Sequence, residues 1–213
     1  MSLARTLDQL RATMLGRPTG LLAYQAVLET LDHGFGEQVL PVGAPMPAFV
    51  LPNAEGRLIR SDVLLARGPL VLTFFRGDWC PYCRATLDAL EAALPGIERA
   101  GGSLLAVTPD TGGRTLATKR AQRLHYEIAA DVDHALGLQF GVLFRLPEPY
   151  RAGLAANGID LTERQGHGGW LVPAPATFLI DPAGIVRWRH VPADPTRRAE
   201  PADVVAALAA LAA

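Results

Sequence analysis

Apolar runs of strand length alternate along this chain with stretches whose apolar residues recur three and four apart. Residues 2–15 set Leu3, Leu7, Leu10 and Met14 on one stripe, which predicts an amphipathic helix that ends at Gly16-Arg17-Pro18-Thr19-Gly20. A second helix is predicted over about 21–31, with Leu21, Tyr24, Leu28 and Leu31 inward and Gly34 and Gly36 as its stop. After a Pro-rich linker at 41–47, Phe49-Val50-Leu51 and Arg57-Leu58-Ile59-Arg60 flank a polar turn and read as a hairpin. Ser61-Asp62 opens a short helix to Leu65, and Gly68-Pro69 stops it. Leu70 to Phe75 reads as a buried strand. From about Cys80 to Arg99 the pattern Leu87, Leu90, Leu94, Ile97 is helical, with Pro95-Gly96 predicting a kink or an early end.

A strand at 103–107, a polar helix at 114–124, a short strand at 128–130 and a helix toward Leu138 follow. Residues 145–172 read as irregular apart from a short helix near Tyr150 to Ala156. So long a loop in a compact domain usually carries function, and it is expected to wall a substrate or partner site. Ala176–Ile180 and Ile185–His190 flank Asp181-Pro182-Ala183-Gly184 as a second hairpin, and Pro201 starts a last helix to about Leu211. The β-α-β-α rhythm predicts an α/β sheet with parallel pairs.

Composition narrows the function classes. The 213 residues suit one domain with an extension, and 49% apolar residues suffice for a sizeable core. A net charge of −1 gives no electrostatic footprint for nucleic acid. No stretch is apolar for long enough to span a bilayer, and the N-terminus has no signal-peptide core, so a cytoplasmic protein without a membrane partner is expected.

The chemistry concentrates at Cys80 and Cys83, the only two cysteines. They sit where strand becomes helix, the layout of a redox-active dithiol. A helix N-terminus favours an anion through its unpaired N–H groups and dipole. Pro81 suits the first helical position, and Cys83 lies one turn from Cys80 on the same side. Arg76 and Arg84 add positive charge. Cys80 is therefore expected to be the exposed nucleophile of low pKa, and Cys83 the more buried thiol that attacks oxidised Cys80. Two other readings compete. Half of a zinc site lacks a second ligand pair, since the histidines (His33, His125, His134, His167 and His190) show no ligand spacing. Inert core cysteines seldom flank a Pro at a strand–helix junction. No metal, flavin or nucleotide cofactor is implied.

Trp79-Cys80-Pro81-Tyr82-Cys83-Arg84 after an apolar strand resembles the thioredoxin-fold active site. Gly43-Ala44-Pro45-Met46-Pro47-Ala48-Phe49, Phe74-Phe75-Arg76-Gly77 and Pro175-Ala176-Thr177-Phe178-Leu179-Ile180-Asp181 resemble the peroxiredoxin-like branch of the alkyl hydroperoxide reductase/thiol-specific antioxidant family. The resemblance covers about 40–213. It implies a thioredoxin-like fold, with a central mixed sheet flanked by helices. Residues 1–40 are then an N-terminal helical extension and 41–213 the thioredoxin-like domain. The extension is a strut on the domain, or else a homodimer contact or a lid, and the sequence leaves these open.

By the same resemblance Trp79, Pro81 and Tyr82 lie exposed beside Cys80 and meet substrate or partner. Pro175 takes a cis bond beside the cysteines, where partner backbone approaches. Arg76 steadies a thiolate or sits in solvent, and Asp78 holds the turn. His167 is a proton donor or a satisfied loop histidine, and Arg197-Arg198 is a solvated pair. The chain departs from the family at two places. Gly77 stands where peroxiredoxins place a peroxide-orienting Thr or Ser, and Pro175 where they bring an Arg. The buried acid of thioredoxins is replaced by Phe74.

Three functions follow. In the first, a thiol peroxidase, Cys80 reduces a hydroperoxide, Cys83 closes the disulfide, and a thioredoxin- or glutathione-type donor recycles it. In the second, a thiol-disulfide oxidoreductase, Cys80 attacks a protein disulfide. The third is a redox-sensing binding module.

Overall fold

Helices α1 (Leu3–Leu15) and α2 (Pro18–Asp32) form the predicted amphipathic pair in the computed structural model, which describes residues 2–32 and 34–211. His33 lies outside the described residues. α1 turns Leu3 and Leu7 inward as expected. α2 starts earlier than its pattern indicates, because a first helical turn accepts Pro18. Its buried face is Ala23, Val27 and Leu31, while Leu21 and Leu22 stay exposed. The inward stripe was thus wrong at Leu21, while Leu31 is buried as expected and Tyr24 and Leu28 are half-buried: large apolar residues surround this helix, and size alone does not select a face.

A one-turn helix, α3 (Phe35–Gln38), precedes the hairpin of β1 (Val50–Pro52) and β2 (Leu58–Arg60), which pair antiparallel. Next come α4 (Ser61–Leu65), β3 (Leu70–Phe74), α5 (Pro81–Arg99), β4 (Ser103–Thr108), α6 (Arg114–Ala121), β5 (Glu127–Ala130) and α7 (Ala135–Gln139). α5 passes through Pro95 to Arg99, so the early end does not occur. Leu90 and Leu94 before the proline and Ile97 after it are buried together and hold both halves to the sheet. The stretch expected to be irregular carries β6 (Leu143–Arg145), α8 (Glu148–Ala156), α9 (Leu161–Gln165) and β7 (Leu171–Pro173), with β6 and β7 antiparallel. β8 (Ala176–Ile180), β9 (Val186–His190) and α10 (Pro201–Leu211) complete the chain.

The central sheet runs β5-β4-β3-β8-β9. β3, β4 and β5 are parallel, whereas β8 is antiparallel to β3 and β9 to β8, so the sheet is mixed. Every residue of β3 is buried, as a strand covered on both faces requires. Leu70, Leu72 and Phe74 point to one core, packed by α2, α3, α7 and α8. Val71 and Phe75 point to the other, packed by α1, α5 and α10. Phe74 stacks in tilted and edge-on geometry with Phe140 and Phe178, at ring-centroid distances of 5.2 and 6.2 Å. The cysteines open α5 on the opposite face.

Candidate active site

Strand β3 delivers the chain to a tight turn, residues 76–79, and α5 begins at once. Cys80 is the N-cap of α5 with extended backbone (φ −92°, ψ 111°), and Pro81 opens the helix. The Cys80 Sγ accepts the Cys83 backbone N–H at 3.4 Å, as an N-cap side chain should. Both cysteines are free thiols.

The expected difference in exposure within the pair is absent. Cys80 is not exposed: each cysteine is 1% accessible. Burial pushes the Cys80 thiol well above its ordinary value, and its neighbour Cys83 reinforces the shift. Burial acts the same way on Cys83, but the hydrogen bond from the Cys80 thiol and the guanidinium groups of Arg198 and Arg76 hold it down to about 5. The hydrogen bond between the thiols and the two guanidinium groups thus favour a single negative charge on the pair. The sequence argument weighed the helix terminus alone and missed the two guanidinium groups arriving from elsewhere.

Arg76 is 3% accessible, so its solvated reading is corrected. Its Nη1 donates to the Tyr150 hydroxyl at 3.3 Å, and its guanidinium lies over the rings of Phe144 and Tyr150, at 5.6 and 5.8 Å. Its Nε and Nη2 are buried without a partner. It meets no carboxylate among the described residues. A buried cation needs a counter-charge, and the nearby anion is the thiolate. Arg198 is also not simply solvated: its Nη2 donates to Cys83 Sγ at 3.9 Å and its guanidinium lies over Tyr82 at 6.0 Å. Arg197 instead pairs with Asp8 at 3.0 Å.

The other predicted residues fall out unevenly. Pro81 is exposed as expected. Tyr82 is buried, not exposed, and its hydroxyl donates to Met14 Sδ of α1 at 3.8 Å. Trp79 is half-buried, wedged against both cores with Nε1 unpartnered. In both cases α1 and α2 cover what a bare thioredoxin-like domain would expose. Pro175 is buried and its peptide bond is trans, which corrects the cis expectation. Trans is the commoner state even before Pro. Here the chain passes straight from the β6–β7 pair into β8, with Ala174 N–H held by Val142 O at 2.7 Å.

Asp78 braces the turn as expected, through an ion pair with Arg164, which also lies 3.6 Å from Asp110. Asp110, two residues beyond β4, is buried. Burial raises its carboxyl to about 7, against the pull of Arg164. Gly77 has φ 142°, and a Cβ there would sit 2.5 Å from Asp110 Oδ2 and 2.6 Å from Trp79 Nε1. The family's hydroxyl has no room at this position. His167 stacks edge-on with His134 at 4.7 Å, in a cavity that neither cysteine lines.

Sequence reasoning missed Tyr150 and Arg198. Tyr150 lies on α8, inside the stretch read as a site wall, so its neighbourhood was legible but its role was not. Beside the cysteine helix lies a cavity of about 350 Å³ bounded by α1, α2 and α8, with Trp79, Pro81 and Tyr82 on its inner wall. Among the described residues no three His, Cys, Asp or Glu side chains form a metal-holding group. No described helix is long and apolar enough to cross a membrane.

Residues 42–189 match the family model described as the AhpC/TSA family. A Coxiella burnetii protein assigned as peroxiredoxin bcp is 26% identical over 157 residues, 73% of this chain and 92% of its own length. The thiol:disulfide interchange protein DsbE of Escherichia coli is 28% identical over 153 residues, 70% of this chain. The match spans only 64% of that DsbE. In structure the chain is similar to peroxidoxin BcpB of Mycobacterium tuberculosis, with a TM-score of 0.64 at 22% identity, covering 81% of this chain and 98% of the other. The mixed sheet with flanking helices is thus the thioredoxin-like fold of peroxiredoxin structures.

Proposed function

This chain belongs to the AhpC/TSA family, and from that premise we propose that it is a thiol peroxidase whose Cys80–Cys83 pair reduces hydroperoxides. One observation carries the reading: a buried dithiol near a buried guanidinium, Arg76, with two unpartnered nitrogens. Free donors next to a thiolate suit a small oxygen-rich substrate on which negative charge develops.

The steps balance as follows. Cys83 thiolate takes the Cys80 proton along their hydrogen bond as Cys80 sulfur attacks the terminal peroxide oxygen. The O–O bond breaks, Cys80 becomes the sulfenic acid, and the electron pair leaves on the other oxygen. Arg76 stabilises that oxygen until the Cys83 proton or water converts it to the alcohol, or to water when the substrate is hydrogen peroxide. Cys83 sulfur then attacks Cys80 sulfur and expels hydroxide, which leaves as water. A thioredoxin- or glutathione-type thiol donor returns two electrons to the disulfide. Trp79, Pro81 and Tyr82 face substrate and donor, and the α5 N-terminus opens to admit both.

The DsbE likeness favours a second reading, attack on protein disulfides. Sulfurs only 1% accessible in the reduced protein favour a small oxidant such as a peroxide as the first reactant. Stopped-flow Trp fluorescence of the reduced protein with hydrogen peroxide separates the two. Fast oxidation is expected that is lost in Cys80→Ser, with the sulfenic acid trapped in Cys83→Ser. Oxidation no faster than a free thiol, together with rapid reduction of a protein disulfide, would instead make the chain an interchange enzyme.

A further inference from the structure

The second cavity, the one that neither cysteine lines, has a volume of about 310 Å³, within the range of small-molecule sites. Leu138 of α7, Leu143 of β6 and Leu171 of β7 wall it, together with His134 and His167, and Asp133 is its only charged lining residue. His134 is 5% accessible, and both its ring nitrogens are buried without a hydrogen-bond partner. A buried polar atom left so costs free energy unless a partner meets it. His134 also borders a void shared with Phe74, Val107 and Pro173, which has no room for a water molecule. Its partner must therefore come from the outer cavity. The backbone holds the ring there at some cost. His134 has φ 60°, and Trp170, between two residues of the cavity wall, has φ 54°. Both lie in the left-handed region that side chains disfavour.

Charge and protonation select the partner. Burial and the neighbouring His167 hold His134 down to about 4, so its ring is neutral at neutral pH and keeps one nitrogen as an acceptor. His167 Nδ1 accepts the Gly169 N–H at 3.2 Å, which leaves the proton of its neutral ring on Nε2. A metal ion thus meets one imidazole acceptor rather than two, and among the described residues no third ligand converges. Asp133 is exposed, its Oδ1 accepts the Ala135 N–H at 3.1 Å, and it forms no ion pair with a described residue. The cavity therefore offers two acceptors, one of them charged, beside an apolar wall.

We propose that this cavity binds a small primary alkylamine as its ammonium ion, which donates hydrogen bonds to His134 and Asp133 and lays its alkyl chain on Leu138, Leu143 and Leu171. The site is separate from the cysteines and does not depend on the peroxidase reading. Asp133 repels a carboxylate, and a neutral alcohol leaves its charge unused. Leu138, 70% accessible at the rim, is the apolar surface that the alkyl chain covers.

The test titrates the full chain at neutral pH with n-pentylamine, n-pentanol and pentanoate, and reads side-chain NMR of isotope-labelled histidine. The His134 and His167 resonances are assigned by their loss in His134→Gln and His167→Gln. Both are expected to shift saturably with the amine, in about the millimolar range for a ligand of so few atoms. Pentanol is expected to bind about 5-fold or more weakly, because it lacks the charge-assisted bond, and pentanoate not at all. Calorimetry on Asp133→Asn needs neither histidine variant to fold. This exposed substitution keeps an oxygen for the Ala135 N–H and is expected to weaken the amine about 3- to 10-fold while leaving pentanol unchanged. No saturable shift at His134, equal affinity for amine and alcohol, or unchanged amine binding in Asp133→Asn overturns the proposal.

Discussion

At the scale of single residues, the site is a problem of burying charge. Arg76 and Cys83 are each taken out of water, and each costs free energy unless the other is ionised. The Cys83 thiol, held down to about 5 by the Cys80 thiol, Arg198 and Arg76, should therefore respond to loss of Arg76. Thiolate ultraviolet absorbance of the reduced protein is expected to rise through pH 5 and to vanish in Cys83→Ser, and Arg76→Met should move the midpoint upward. The sign for stability follows. A folded value depressed below the ordinary 9.0 stabilises the reduced fold fully above pH 9, and that contribution is lost as pH falls through 5. Relative to Cys83→Ser, the denaturation midpoint of the reduced protein should climb between those limits. Loss of the free donors in Arg76→Met should also slow oxidation by hydrogen peroxide about 10²- to 10³-fold, with Arg76→Lys restoring part of it. A midpoint that ignores Arg76 would detach the guanidinium from the thiolate.

At the scale of elements, the turn between β3 and α5 explains the departure from the family. Gly77 combines left-handed φ with a Cβ position already occupied by Asp110 and Trp79. Gly77→Thr, which restores the family's hydroxyl, should cost about 1–3 kcal/mol by urea denaturation and bring no faster peroxide reaction. A stable, faster variant would show that the hydroxyl was merely missing, not excluded. The same scale sets what could be read from sequence. β3, α5 and the β8–β9 hairpin were legible because apolar run, helical period and turn residues agree there. α9 and the β6–β7 pair were not, because elements of three to five residues show no period. The Cys pair was legible as a dithiol from its place between strand and helix. Its charge distribution was not, because Arg198 lies 115 positions from Cys83. Tyr150, on a short helix after two prolines, carried no motif at all.

At the scale of the whole molecule, the question is whether residues 1–40 are an addition to the domain or part of it. Val27, Leu31, Phe35 and Val39 lie in the same core as Phe74, Phe140 and Phe178 of the thioredoxin-like unit. Arg189 of β9 donates to the carbonyls of Val39 and Leu40, at 2.6 and 2.9 Å, which fastens the end of the extension to the sheet edge. α1 lies on the other core beside α5 and shields the start of the cysteine helix. An extension that contributes to both cores cannot leave without exposing them. Leu31 is 3% accessible, so Leu31→Ala is expected to destabilise the entire chain by about 2–5 kcal/mol, as a large-to-small change in a shared core does. Unfolding should remain one transition by tryptophan fluorescence and circular dichroism. A chain of residues 41–213 should bind hydrophobic dye and lose cooperative unfolding. If it instead melts at the midpoint of the full chain and keeps its cysteines buried from alkylation, the helices are a separable strut, and the cover over Trp79 and Tyr82 must come from the domain itself.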